Sequence, residues 1–81
     1  MSKRPLAKRE RSRDELTQAV HQFITTYIAG HGYSPNMREI GEACHIGRTT
    51  AVRYLDRLEM LGHIRRDLGV ARGITLIHPA N

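Results

Sequence analysis

Apolar residues recur along this chain first with the period of a helix and finally with the period of a strand. Leu16, Ala19, Val20, Phe23, Ile24, Tyr27 and Ile28 fall at i, i+3, i+4, i+7, i+8, i+11 and i+12, which predicts a first long helix with its core face along that stripe. Ser12 or Asp14 can cap it, and Asp14 and Glu15 suit the positive end of the helix dipole. Gly30 and Gly32 predict its end, and Ser34-Pro35 turns the chain. Asn36 then offers an N-cap, with Glu39 three residues on as its capping-box partner. Met37, Ile40 and Cys44 share one face of a short second helix, and Gly41 within it points to a close helix approach, since Gly costs roughly 1 kcal/mol against Ala there. A turn over His45-Ile46-Gly47 follows, with Ile46 as an apolar plug and Gly47 at the corner. The third helix is predicted from Arg48 or Thr49 to about Leu61, stopped by Gly62. Ala51, Leu55, Leu58 and Leu61 make its inward stripe, flanked by Val52.

Past Gly62 the period changes to two. His63-Ile64-Arg65-Arg66 and Gly73-Ile74-Thr75-Leu76-Ile77 read as two strands joined by a loop from Asp67 to Arg72, with Ile64, Ile74 and Leu76 closing the core. The predicted fold is mainly α: three helices followed by a two-stranded β-hairpin, a winged helix-turn-helix over residues 14–78, with Pro79 ending the order. Residues 1–13 form a basic arm around Lys3, Arg4, Lys8, Arg9, Arg11 and Arg13, expected to be flexible in the free protein and to add electrostatic attraction on a polyanion.

Charge changes the picture from fold to partner. Thirteen Lys and Arg against eight Asp and Glu give +5, which implies nucleic acid or an anionic surface. Eighty-one residues support one small core and no second active-site domain. No apolar run approaches the ~20 residues of a membrane span, and the first residues lack the apolar stretch of a secretory signal. The lone Cys44 excludes an internal disulfide and reads as a small buried hydrophobe; Cys44 and His45, adjacent at a helix end, point apart. His21 and His31 read as surface or cap residues. No metal, cofactor or small-molecule ligand is expected, and the chain is expected in the cytoplasm, on the nucleoid.

On the third helix, Thr49, Thr50, Arg53, Tyr54 and Arg57 have no apolar role, and short hydroxyls and bidentate arginines near a helix N-terminus are what major-groove base edges require. Three stretches resemble the N-terminal DNA-binding domain of the LexA family of SOS-response repressors: GYSPNMREIGEA, RTTAVRYLDRLEMLGHIRRD and ARGITL, in order, over roughly residues 14 to 77. The resemblance implies base reading by Arg48, Thr49, Thr50, Arg53 and Tyr54. It also implies phosphate contacts from Arg38 on the second helix and from Arg65, Arg66 and Arg72 around the wing, with Arg57 added on the third helix. Residues Arg48 to Tyr54 depart from the family, and the turn before them is one residue shorter, which leaves the operator unassigned. The family's second domain, a self-cleaving Ser-Lys peptidase that also provides the dimer interface, has no counterpart in these residues, so autocleavage is not expected. Without it, the expectation is a monomer that pairs on a two-fold symmetric DNA site, or weak pairing through the wing or third helix. The expected function is sequence-specific double-stranded DNA binding by a repressor or small regulator. Alternatives are a winged helix used as a protein-interaction module, which an apolar third-helix face would favour, or nonspecific architectural binding, which lacks base discrimination.

Overall fold

A computed structural model describes residues 12–77; the arm over residues 1–11 and Pro79 lie outside the described residues. Three helices, α1 (Arg13–His31), α2 (Met37–Cys44) and α3 (Arg48–Met60), precede strands β1 (Ile64–Arg66) and β2 (Ile74–Leu76), the expected mainly-α winged helix-turn-helix. Arg13, grouped with the basic arm on sequence, is the first helical residue, because Ser12 is the cap. The Ser12 hydroxyl accepts from Glu15 N–H and the Glu15 carboxylate accepts from Ser12 N–H, both at 3.1 Å, a reciprocal capping box. The helix runs through Gly30 and stops at Gly32, whose φ of 82° is the left-handed conformation that glycine adopts without steric penalty.

Asn36 and Glu39 form the predicted box on α2, each bond 2.8 Å long. The chain then turns at His45, which takes the left-handed conformation at φ 59°; Gly47, assigned the corner on sequence, has an extended backbone as the N-cap of α3. A β-carbon added at Gly41 would sit 2.8 Å from the Ile46 carbonyl oxygen. The close approach at Gly41 is therefore that of its own turn, held by the Ile46 N–H donating to the Gly41 carbonyl at 2.9 Å, and not that of a neighbouring helix.

The core gathers Val20 and Ile24 of α1, Ile40 and Cys44 of α2, Ala51, Leu55 and Leu58 of α3, and Ile64 of β1. Phe23, Ile28, Met37, Ile46, Tyr54, Ile74 and Leu76 pack around it. Leu61 does not join: it caps α3 and stands 53% exposed. The helix ends just before the stripe would return Leu61 inward. Gly62, at φ 83°, reverses the chain, His63 N–H donates to the Leu58 carbonyl at 2.9 Å, and Ile64 takes the buried position. Two polar residues are also buried. The Thr17 hydroxyl donates to the Arg13 carbonyl, and the Ser34 hydroxyl accepts from Ile74 N–H, tying β2 to the α1–α2 turn.

β1 and β2 pair antiparallel with Ile64 opposite Leu76, Arg65 opposite Thr75 and Arg66 opposite Ile74, so Arg65 and Thr75 face solvent. His63 and Gly73–Ile77 were expected inside longer strands; the ladder is shorter at both ends. The loop between them closes on itself as Asp67 N–H donates to the Gly73 carbonyl at 2.8 Å. Gly73 is required there, since a β-carbon would lie 2.5 Å from the Asp67 carbonyl oxygen.

Truncating Leu55 leaves a cavity where α3 meets the rest of the core. Leu55→Ala should lower stability by about 2–5 kcal/mol in urea denaturation, whereas Leu61→Ala should stay within about 0.5 kcal/mol of the parent. Equal losses would place Leu61 in the core and shift the end of α3.

Candidate nucleic-acid interface

The two capping boxes on α1 and α2 have no counterpart on α3, where Gly47 supplies no side-chain cap. The start of α3 therefore carries no side-chain cap, and its first residues, Arg48 and Thr49, are exposed. Arg53 is exposed one turn further on, while Thr50 and Tyr54 are half-buried, Tyr54 lying against the core. The sequence-predicted base-reading residues thus separate into an exposed set, Arg48, Thr49 and Arg53, and a flanking pair that doubles as packing.

Arg48 stands at a junction. On one side it borders a groove with Met37, Arg38 and Ile46 at the start of α2. On the other it borders a groove of about 360 Å³ with Val52 and the wing residues Leu68, Gly69 and Val70. The α2 N-terminus, the α3 N-terminus and the wing are consequently neighbours on one surface. Arg38 and Arg65 are exposed on α2 and β1, and among the described residues neither they nor Arg48 and Arg53 form an ion pair.

The other arginines assigned to phosphate are paired with acidic groups of the protein itself. Arg72 reaches back from the end of the wing loop to α2, where its Nη1 and Nη2 donate to the two Glu39 carboxylate oxygens at 2.9 and 3.1 Å. Its Nη1 also donates to the Ser34 carbonyl at 2.8 Å, and its guanidinium lies 4.9 Å from the centre of the Tyr33 ring. Arg66 is bridged to Glu59 at 2.9 Å and to Asp56, both on α3. Burial works against the Arg66 charge, yet the hydrogen bonds to Glu59 and Asp56 outweigh it and raise its pKa. Arg57 leans towards α1, its Nη2 3.3 Å from Asp14. Acidic partners at Glu39, Asp56, Glu59 and Asp14 are what hold these arginines against the protein.

Sequence reasoning missed these pairs, since their partners lie on different elements, 7 to 43 residues apart, and leave no helical spacing to read. It also missed the stacking of His21 on His63, with ring centres 4.9 Å apart, and of Tyr27 on His31 at 3.8 Å. Among the described residues, no group of three or more His, Cys, Asp or Glu is placed to hold a metal ion, and no helix is long and apolar enough to cross a membrane.

A family model described as the LexA DNA binding domain matches residues 5–73. The LexA repressor of Geotalea uraniireducens is 44% identical over 61 residues, covering 74% of this chain and 30% of that protein. The LexA repressor of Clavibacter sepedonicus is 37% identical over 71 residues, covering 86% of this chain and 31% of that protein. LexA repressor 2 of Geobacter sulfurreducens is 40% identical over 60 residues, 73% of this chain and 30% of that protein. The chain spans about a third of the length of these curated relatives.

Glu39 has a consequence for pH. The hydrogen bond from Arg72, aided by that from the Asn36 backbone, lowers its pKa to about 2. A carboxylate depressed in the folded state contributes stability that is present above its unfolded pKa and lost as pH falls through the folded one. Its NMR titration should therefore lie near pH 2 and move up towards the usual carboxylate range in Arg72→Ala. An ordinary Glu39 midpoint in the parent would show that the pair does not form in solution.

Proposed function

Because the chain belongs to the LexA DNA-binding domain family, we propose that it binds double-stranded DNA sequence-specifically and acts as a transcriptional repressor. The observation that carries this reading is the start of α3, where Arg48, Thr49 and Arg53 are exposed and, among the described residues, Arg48 and Arg53 form no ion pair while Arg57, Arg66 and Arg72 are paired. A major groove admits one helix, and an uncapped, positive helix N-terminus is drawn towards its phosphate-lined edge. Arg53 reads a base edge, guanine being the partner that a bidentate guanidinium fits best. Arg48 and Thr49 stand at the leading edge of α3, where base and backbone are both in reach, and Thr50 and Tyr54 line its flank.

Arg38 and Arg65 anchor phosphate on either side of α3. Arg66 and Arg72 serve by fixing the wing instead, so the phosphate set is smaller than the resemblance implied. Repression follows from occupancy, with no chemistry required of the chain. One such domain covers a half-site, and two copies related by a two-fold axis would read a palindrome. A DNA partner of this kind places the protein on the nucleoid, in the cytoplasm.

Selecting bound duplexes from a random pool should yield a palindromic consensus. Against that consensus, Arg53→Ala should relax preference at one or two positions by the about 1–3 kcal/mol of a bidentate contact. Arg65→Ala should instead weaken all sequences alike and reduce the salt slope by about one unit. Equal losses on consensus and random DNA for Arg53→Ala would make Arg53 a phosphate contact and remove it from the reading face.

A further inference from the structure

We propose that Val52 reads the C5-methyl group of a thymine and is a specificity-determining residue of the interface. The inference rests on the DNA-binding reading above and adds the chemistry of one base contact. By spacing alone Val52 flanks the core stripe of α3, yet it is 36% exposed while its neighbours Ala51 and Leu55 are buried. It is the one exposed apolar side chain in the first two turns of α3, four residues after Arg48 and three after Thr49, and so next to both on the helix surface. It lines the groove of about 360 Å³ between α3 and the wing, together with the exposed Arg48, the half-buried Met37 and Ile74, and the buried Leu55.

An apolar side chain in a DNA-facing position has few partners to choose from. The major-groove edges of the bases present hydrogen-bond donors and acceptors throughout, and one apolar group, the thymine methyl. Val is suited to it because branching at Cβ leaves one strongly preferred rotamer in a helix, which fixes the direction of its methyl groups before DNA arrives. A flexible apolar side chain would lose that freedom on binding. Arg48 and Arg53 beside it supply the polar contacts that set the register, and Val52 adds discrimination against bases that lack a methyl group.

The experiment replaces each thymine of the selected duplex, one at a time, by deoxyuridine, which removes the methyl and leaves every hydrogen-bonding group in place. Binding is measured for the parent chain and for Val52→Ala. One position should cost the parent about three- to tenfold, in line with the burial of a single methyl-sized group. Val52→Ala should bind the thymine duplex more weakly and show no loss at that same position. The inference is overturned if no single replacement matters, if the consensus has no thymine within the half-site, or if Val52→Ala retains the parent's sensitivity. A pool that yields no consensus at all would overturn the DNA-reading proposal itself, so the two failures are distinguishable. Because the deoxyuridine series changes only the DNA, its result in the parent chain is independent of how Val52→Ala folds.

Discussion

One carboxylate holds together the elements that flank α3. Glu39 accepts from Asn36 N–H at 2.8 Å, closing the capping box that starts α2, and accepts both terminal nitrogens of Arg72 at the base of the wing. The same guanidinium is also bound by the Ser34 carbonyl and approached by the Tyr27 hydroxyl at 3.3 Å. The start of α2 and the end of the wing loop therefore share one anion, and the α1–α2 turn is tied to it. A two-stranded hairpin of three residues per strand is marginal by itself. Its placement beside α3 depends on this link, on Arg66 bridging β1 to Glu59 and Asp56, and on Ile64 in the core.

The pairs also sort the charge. Each acidic partner offsets the charge of the arginine it holds, while Arg38, Arg48, Arg53 and Arg65 are exposed and unpaired among the described residues. A net charge of +5 says only that a polyanion is attractive; the internal pairs say which arginines can meet it. The arrangement separates two tasks that a count of basic residues merges. In the proposed complex with DNA, some arginines hold the shape of the interface and others face the ligand.

What could be read without coordinates was whatever a few neighbouring residues determine. The α1 stripe, the Asn36–Glu39 box, the Gly62 stop and the change of period after it are local patterns, and each appears in the structure. The helix face carrying Arg48, Thr49 and Arg53 was legible for the same reason, because apolar spacing on α3 fixes which side turns away from the core. The exit of Leu61 was not, since a stripe gives direction around a helix and not where the helix stops. Nor were the roles of Arg66 and Arg72, whose partners are set by packing rather than spacing. His45 carried a weak signal at most. A non-glycine residue with positive φ is uncommon, and the glycine two positions later was the more conventional choice for the corner.

In the proposed complex, α3 presents its exposed N-terminal face to DNA while the Glu39–Arg72 pair between α2 and the wing loop stays intact. NMR observation of backbone amides and arginine guanidinium N–H groups, Nη–H included, during titration with the selected duplex tests both halves at once. The largest changes are expected at Arg48, Thr49, Val52 and Arg53, with Arg38 and Arg65 following and losing their response as salt is raised. The Arg72 Nη–H groups that donate to Glu39 should keep their shifts and stay slow to exchange. Changes concentrated on α1 with α3 unaffected, or an Arg72 signal that moves as far as that of Arg53, would contradict it.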